Sequence, residues 1–311
     1  MLSAYCLSYM HWTVVPRQLA ESYRDLAGTG FEAVCISFSE SEMQYSRRAV
    51  ELQVKLAHEA GLKVFVIPSR LGGRFAGSPW MPSWWLARHP ECTVPGTESW
   101  PVACLESAEF VDWIHSFMET MLTDYPLDGI VWDEPKSVAT ASRHPATLER
   151  LGREQTPAEA MSGYARFLAA LAAHCESVSP GLVQTLFCQK TDPEEFTREA
   201  AKIGPLEFFG YDGNLSRQSF FHEAPEWRKY RIESVWERTV AECAAAGKRT
   251  FALVENMLMP AEATDEFERN FAAYLDEHHP DHLSVYYYAH NNEDPEAVQE
   301  VVRRHIGKYL G

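Results

Sequence analysis

Eight short apolar runs alternate with longer stretches of helical periodicity along this chain, and no other property narrows its fold as far. Apolar runs of about four to eight residues suit buried strands, while apolar residues recurring every three or four positions suit helices with one buried face. The runs are Ala4–Tyr9, Ala33–Phe38, Lys63–Pro68, Gly129–Trp132, Leu182–Phe187, Leu206–Gly210, Thr250–Val254 and Leu283–Tyr288. Between them, Leu19, Tyr23 and Leu26 share a helical face, as do Val50, Val54 and Ala57, with Gly28 and Gly61 as stop signals. Asp192-Pro193-Glu194 and Asp294-Pro295-Glu296 read as a capping carboxylate before a first-turn proline, and Thr156 with Glu159 has capping-box spacing. This alternation, ending in a helix, predicts a (β/α)8 TIM barrel, a single domain over residues 1–311. Dinucleotide and P-loop glycine motifs are absent from the sequence.

Two connections exceed plain strand-to-helix turns: Ser69 to Ser107 after the third strand, and Pro135 to Thr156 after the fourth. Loops that follow barrel strands build the face where active sites lie. With 28 Lys and Arg against 44 Asp and Glu, the net charge of −16 repels nucleic acid and anionic membranes. The seven cysteines form no C-x-x-C pair, so a zinc ribbon or redox motif is not expected; Cys92 and Cys104 flank one loop and are the pair that a disulfide could join. No basic leader precedes an apolar segment and no run approaches the ~20 apolar residues of a membrane span, so a cytoplasmic protein is expected.

Nearly every strand ends in a polar group. In order these are His11 and Trp12; Ser39, Glu40 and Glu42; Arg70; Asp133, Glu134 and Lys136; Gln189 and Lys190; Tyr211 and Asp212; Glu255 and Asn256; and His290, Asn291, Asn292 and Glu293. Trp80, Trp84, Trp85 and Trp100 concentrate in the first long loop and would border the same mouth. Polar groups ringed by aromatic faces suit a neutral, hydroxyl-rich ligand such as a sugar. Trp84 and Trp85 are read equally as stacking platforms or as a small core under their own loop, and Arg70 as a substrate contact or a partner of Glu40 or Glu106.

The segment Leu127-Asp128-Gly129-Ile130-Val131-Trp132-Asp133-Glu134-Pro135 resembles the fourth strand of barrel glycoside hydrolases, its Asp-Glu-Pro ending being similar to the Asn-Glu-Pro of the large retaining clan. That resemblance implies Glu134 as acid/base and Glu255, ending Phe251-Ala252-Leu253-Val254-Glu255, as nucleophile. Asp133 stands where the clan has asparagine, and Tyr286, Tyr287 and Tyr288 where tryptophan is usual. The stretches Pro82-Ser83-Trp84-Trp85, His89-Pro90-Glu91 and Cys104-Leu105-Glu106-Ser107 are also similar to poorly characterised bacterial glycosidase-like barrels.

Glycosidic cleavage needs one carboxyl that is protonated and one that is ionised. Asp133 as a like charge and Trp132 as a desolvating neighbour would raise the Glu134 pKa, leaving Glu255 ionised with help from Arg70, His11 or Tyr211. The expected protein is thus a retaining glycosidase without metal or organic cofactor, binding a small carbohydrate through His11, Trp12, Glu40, Arg70, Trp84, Trp85, Asp133, Gln189, Tyr211, Asp212, Asn256, His290 and Asn291. Three alternatives stand beside it: a glycosidase using Asp133 and Asp212, a non-catalytic carbohydrate-binding barrel, and a metal-dependent hydrolase using Asp133, Glu255 and His290. The run Glu277-His278-His279-Pro280-Asp281-His282 precedes the eighth strand and reads as a turn on the opposite face.

Overall fold

A computed structural model of the protein describes residues 1–6, 15–78, 81–218, 230–288 and 291–310. Eight strands pair in parallel in chain order and close into a barrel: β1 (Leu2–Cys6), β2 (Ala33–Phe38), β3 (Lys63–Pro68), β4 (Gly129–Asp133), β5 (Val183–Cys188), β6 (Phe208–Gly213), β7 (Arg249–Val254) and β8 (His282–Val285). The surrounding helices are α1 (Pro16–Thr29), α2 (Glu40–Tyr45), α3 (Arg47–Glu59), α4 (Trp84–Arg88), α5 (Ala108–Asp124), α6 (Pro145–Leu151), α7 (Pro157–Val178), α8 (Glu194–Ala201), α9 (Trp236–Ala246), α10 (Thr264–Glu277) and α11 (Pro295–Leu310). This is the (β/α)8 TIM barrel that the alternation predicts. The expected strand residues 7–9 lie outside the described residues, and β8 leaves the ladder before Tyr286. No helix among the described residues is long and apolar enough to cross a membrane.

Both faces of each strand are buried, as a parallel barrel requires. Inward positions pack on one another, with Tyr5 meeting Phe187 and Tyr286 edge to face at 6.1 and 5.1 Å. Outward positions, Trp132, Tyr211 and Tyr287 among them, join the larger core between sheet and helices. The Glu277–Asp281 stretch is the expected connection, but His282 enters the barrel floor, where its Nε2 lies 2.9 Å from the Ser3 hydroxyl. The capping box of α7 and the Asp294 cap of α11 form as expected. Asp192 does not cap α8; its carboxylate instead accepts from the Gln189 backbone N–H at 2.9 Å.

The two long loops are stitched together beside the mouth. Gly73 and Gly77 take φ of 68° and 85°, and a side chain on either would strike the Pro101 carbonyl or the Ser69 hydroxyl. The backbone can therefore fold back so that Ala76 N–H reaches the Asp133 carbonyl at 3.0 Å and Lys136 N–H reaches the Arg74 carbonyl at 2.9 Å. Buried Arg74 spans both loops, donating to the carbonyls of Ala103 and Ser137. Cys92 and Cys104 are free thiols.

The first and last units are joined by one carboxylate. Asp25 on α1 accepts from Tyr287 and Tyr288 just past β8 and from both Nη2 contacts of Arg303 on α11, at 2.7 to 3.0 Å. Charge-assisted hydrogen bonds of this kind are worth about 1.5–3 kcal/mol each when a partner is left unsatisfied, less where solvent reaches them. Asp25→Ala is expected to cost about 2 kcal/mol in a urea unfolding series, whereas Asp25→Asn, which keeps the acceptor, should cost less. Equal losses for both variants would show that packing rather than the acceptor matters.

Candidate active site

At the C-terminal mouth of the barrel a cleft of about 640 Å³ is lined by Arg70, Asp133, Glu134, Lys136, Gln189, Asp212 and Glu255, with Trp100, Phe187, Tyr230 and Tyr286 supplying aromatic surface. Alternation along the strands aims Asp133, Asp212 and Glu255 inward from β4, β6 and β7. Glu134 ought to point outward, but its φ of 34° turns the chain and brings a second consecutive carboxyl into the cleft. Arg70 and Leu258, beside it, share left-handed backbone, at φ of 60° and 55°. Such positions cost about 1–3 kcal/mol each and cluster where function demands them.

The carboxyls are wired to different partners. Asp133 accepts from the Tyr5 hydroxyl at 2.6 Å. Glu134 accepts from Gln189 at 3.0 Å through one oxygen and from the Lys136 ammonium through the other. Oxygens of Glu134, Asp212 and Glu255 all lie within 4.8 Å of one another. A divalent cation would fit that spacing, but the Lys136 ammonium already compensates Glu134, so the donor set is that of an acid cluster rather than a built metal centre.

Electrostatics divide the cluster. Burial, then the Glu134 charge, lifts Asp133 to about 7 against the Tyr5, Lys136 and Arg70 interactions. Burial, followed by the charges of Glu134 and Asp133, lifts Glu255 to about 8. Asp212 is raised well above the carboxylate range by burial and Glu134, to which it hydrogen-bonds. Burial would raise Glu134 too, but the Asp212 hydrogen bond, the Lys136 cation and Gln189 outweigh it and hold Glu134 below its ordinary value. The expectation of a raised Glu134 and an ionised Glu255 is thereby corrected: the donors on Glu134 outweigh Asp133, and Trp132 points away to donate to Gln184 at 3.0 Å.

The structure brings Arg70, Asp133, Glu134, Gln189, Asp212, Glu255 and Asn291 together around the cleft. Four other expected contacts fall elsewhere, together with Glu40. Tyr211 faces outward and donates to Glu242 on α9, because it is an even step from Phe209 and an odd one from Asp212. Asn256 clasps β7 to β8 through the Tyr286 backbone at 2.8 Å in both directions. Glu40 caps the loop segment at Ser83 and the Trp85 N–H. Trp85 stacks between His89 and Trp113, and Trp84 lies against Tyr45, so neither borders the cleft. Arg70 pairs with neither Glu40 nor Glu106; the latter holds Arg150. His11, Trp12, Trp80 and His290 lie outside the described residues.

Sequence reasoning passed over Tyr5 and Gln218, and placed Lys136 among the polar strand ends without giving it a role. Tyr5 was legible as the inward position two beyond Ser3, and Lys136 as the cation two beyond Glu134. Gln218, which donates to the Glu255 carbonyl at 3.3 Å, lies past β6 and carried no signal.

No protein-family model matches the sequence, and no curated protein does. Solved barrels match in shape. The catalytic domain of β-amylase from Paenibacillus polymyxa is 9% identical with a TM-score of 0.62, covering 98% of this chain and 97% of that one. An endo-1,4-β-mannanase from Rhizomucor miehei is 10% identical at 0.65, covering 99% and 95%. GH5_18 from Streptomyces cattleya, in complex with GlcNAc, is 14% identical at 0.65, covering 99% and 80%. These are glycoside hydrolase barrels, and the likeness at this identity is one of fold.

A carboxyl raised in the folded protein stabilises it below the unfolded pKa and loses that contribution as pH rises through the folded value. Asp133 near 7 and Glu255 near 8 therefore predict that stability falls from pH 6 to pH 9. Glu255→Gln is expected to flatten that fall and raise the pH 9 melting temperature by about 2 °C or more, read by thermal unfolding. An identical slope in the variant would remove Glu255 as its source.

Proposed function

We propose that this barrel is a glycoside hydrolase that cleaves a glycosidic bond with retention, using Glu134 and Glu255. The observation that carries the reading is their separation. One oxygen of each carboxyl lies within 4.8 Å of one oxygen of the other, a nearest approach compatible with the about 5–5.5 Å between the carboxyl groups of retaining enzymes. The substrate would be a small carbohydrate or glycoside entering between the first long loop and Asn291, its apolar faces against Trp100 and Tyr286. Barrels of matching shape with carbohydrate in their names support the substrate class. The free, buried thiols suit a cytoplasmic setting.

The charge distribution supports a division of labour opposite to that implied by the sequence resemblance. Glu134, the ionised carboxyl, attacks the anomeric carbon, and Glu255, which carries a proton at neutral pH, donates it to the leaving oxygen. A water then enters, gives its proton to Glu255, and releases the sugar from Glu134 with its original configuration. The second reading keeps Glu134 as acid/base and Glu255 as nucleophile, and is favoured by their strand positions alone.

Either alanine variant is expected to lose about 10²–10⁴-fold in turnover of aryl glycosides. Azide separates the readings. With Glu134 as nucleophile, Glu134→Ala plus azide gives a glycosyl azide of inverted configuration, and Glu255→Ala plus azide gives one of retained configuration, assigned by NMR. The reverse pattern would establish the second reading. Wild-type protein that releases no sugar from a broad panel of α- and β-glycosides, yet binds one of them, would leave a carbohydrate-binding barrel.

A further inference from the structure

Glu134 is held at both ends of its carboxylate, and the stronger hold comes from its own chain. Lys136 follows it by two residues, across Pro135, and its ammonium sits on one oxygen while Gln189 takes the other. The Lys136 backbone is not free to drift, because its N–H is tied to the Arg74 carbonyl, which also receives the Tyr164 hydroxyl. The side chains of the pair are 27% and 11% exposed, so this is no solvated surface bridge of negligible worth.

Charged and titratable groups face this ammonium from every neighbouring strand end. Arg70 comes from β3, Asp133 and Glu134 from β4, Asp192 from the β5–α8 turn, Asp212 from β6 and Glu255 from β7. Among them Lys136 acts on all five carboxyls, and among the described residues its ammonium bonds to Glu134. Arg70 and Lys190 also line the cleft, and the Arg70 guanidinium lies 5.8 Å from the Trp100 ring centroid.

We propose that Lys136 is a positioning residue that holds Glu134 as the charged carboxylate of the cleft and aims it at the sugar. The proposal rests on the glycosidase reading for its purpose, but its physical content does not need a substrate. With the ammonium gone, Glu134 keeps the Asp212 and Gln189 hydrogen bonds but loses the cation bonded to it, so burial among like charges draws its proton affinity upward. A glycosidase lacking Lys136 would then have its nucleophile blocked at the acid side of its range, while the proton donor stays intact.

Glutamate labelled with ¹³C at the side-chain carboxyl gives the test, with the Glu134 signal assigned by its loss in Glu134→Gln. In wild-type protein the signal should titrate below the ordinary glutamate range; in Lys136→Met it should move up by at least about one unit, and in Lys136→Arg, which keeps the charge, by less. An unmoved titration in a folded Lys136→Met protein overturns the proposal. If that variant does not fold, the pair is read from its other side: the Lys136 amine, labelled at Cε, should titrate lower in Glu134→Gln than in wild type, and no change there overturns the proposal equally. Where turnover is available, the acid limb of kcat/KM should shift alkaline by a similar amount in Lys136→Met, about tenfold lost per unit on that limb, with KM nearly unchanged. Titrations that behave as stated in a protein that cleaves nothing would count against the glycosidase reading alone, and unchanged titrations in an active enzyme against Lys136 alone.

Discussion

Consecutive residues of an extended strand point to opposite faces, so one strand cannot present two neighbouring carboxyls to one cleft. The left-handed backbone at Glu134 breaks that rule at the place where β4 ends. Asp133 keeps the inward register of Val131, and Glu134 swings back beside it instead of joining Trp132 among the helices. The conformation is strained for a residue with a side chain, and what over-determines it lies around it. The Asp133 carbonyl is taken by Ala76, Pro135 fixes the next φ, and Lys136 is tied to Arg74. The long loop after β3 thus serves the site less by offering aromatic platforms than by clamping the backbone of β4.

Packing four carboxyls into one mouth carries an electrostatic penalty that the protein meets in two ways. Arg70, Lys136 and Lys190 bring positive charge to the lining, and burial favours protons on Glu255, Asp212 and Asp133. A cleft so arranged is less negative than its number of carboxyls, inside a chain whose overall charge is −16. Global charge is therefore a poor guide to the charge of the cleft. The same arrangement keeps one carboxyl ionised and one protonated within reach of each other, the condition for acid–base cleavage of an acetal.

The barrel was legible because its strands are apolar on both faces and its helices on one, a contrast that survives without any knowledge of contacts. Glu134, Glu255, Asp133 and Asp212 were legible for the same reason, since the last residues of barrel strands line the mouth. What failed was the assumption that every polar strand-end residue does so. Tyr211 and Asn256 sit one step out of register with Asp212 and Glu255 and serve α9 and the β7–β8 junction instead. Trp84 and Trp85 failed for a different reason, because a loop as long as residues 69–107 needs its own apolar support, which Trp85 supplies by stacking on Trp113. Charge states were the least legible, because Asp133 is visible beside Glu134 in the sequence whereas Gln189 and Asp212 arrive from β5 and β6.

That last difference bears on how far strand position alone can assign roles. Two retaining carboxyls are related by the chemistry as a pair, and exchanging their roles changes which face of the sugar meets which residue, not the separation between them. The ends of β4 and β7 bring Glu134 and Glu255 to one mouth. On the proposed reading the roles follow from partners: Asp212, Lys136 and Gln189 on Glu134, and burial, like charges, the more distant Lys136 and Gln218 around Glu255. An assignment carried from strand number would hold only if those partners were carried too, and the asparagine that accompanies the β4 glutamate in the retaining clan is replaced by Asp133, itself bonded to Tyr5.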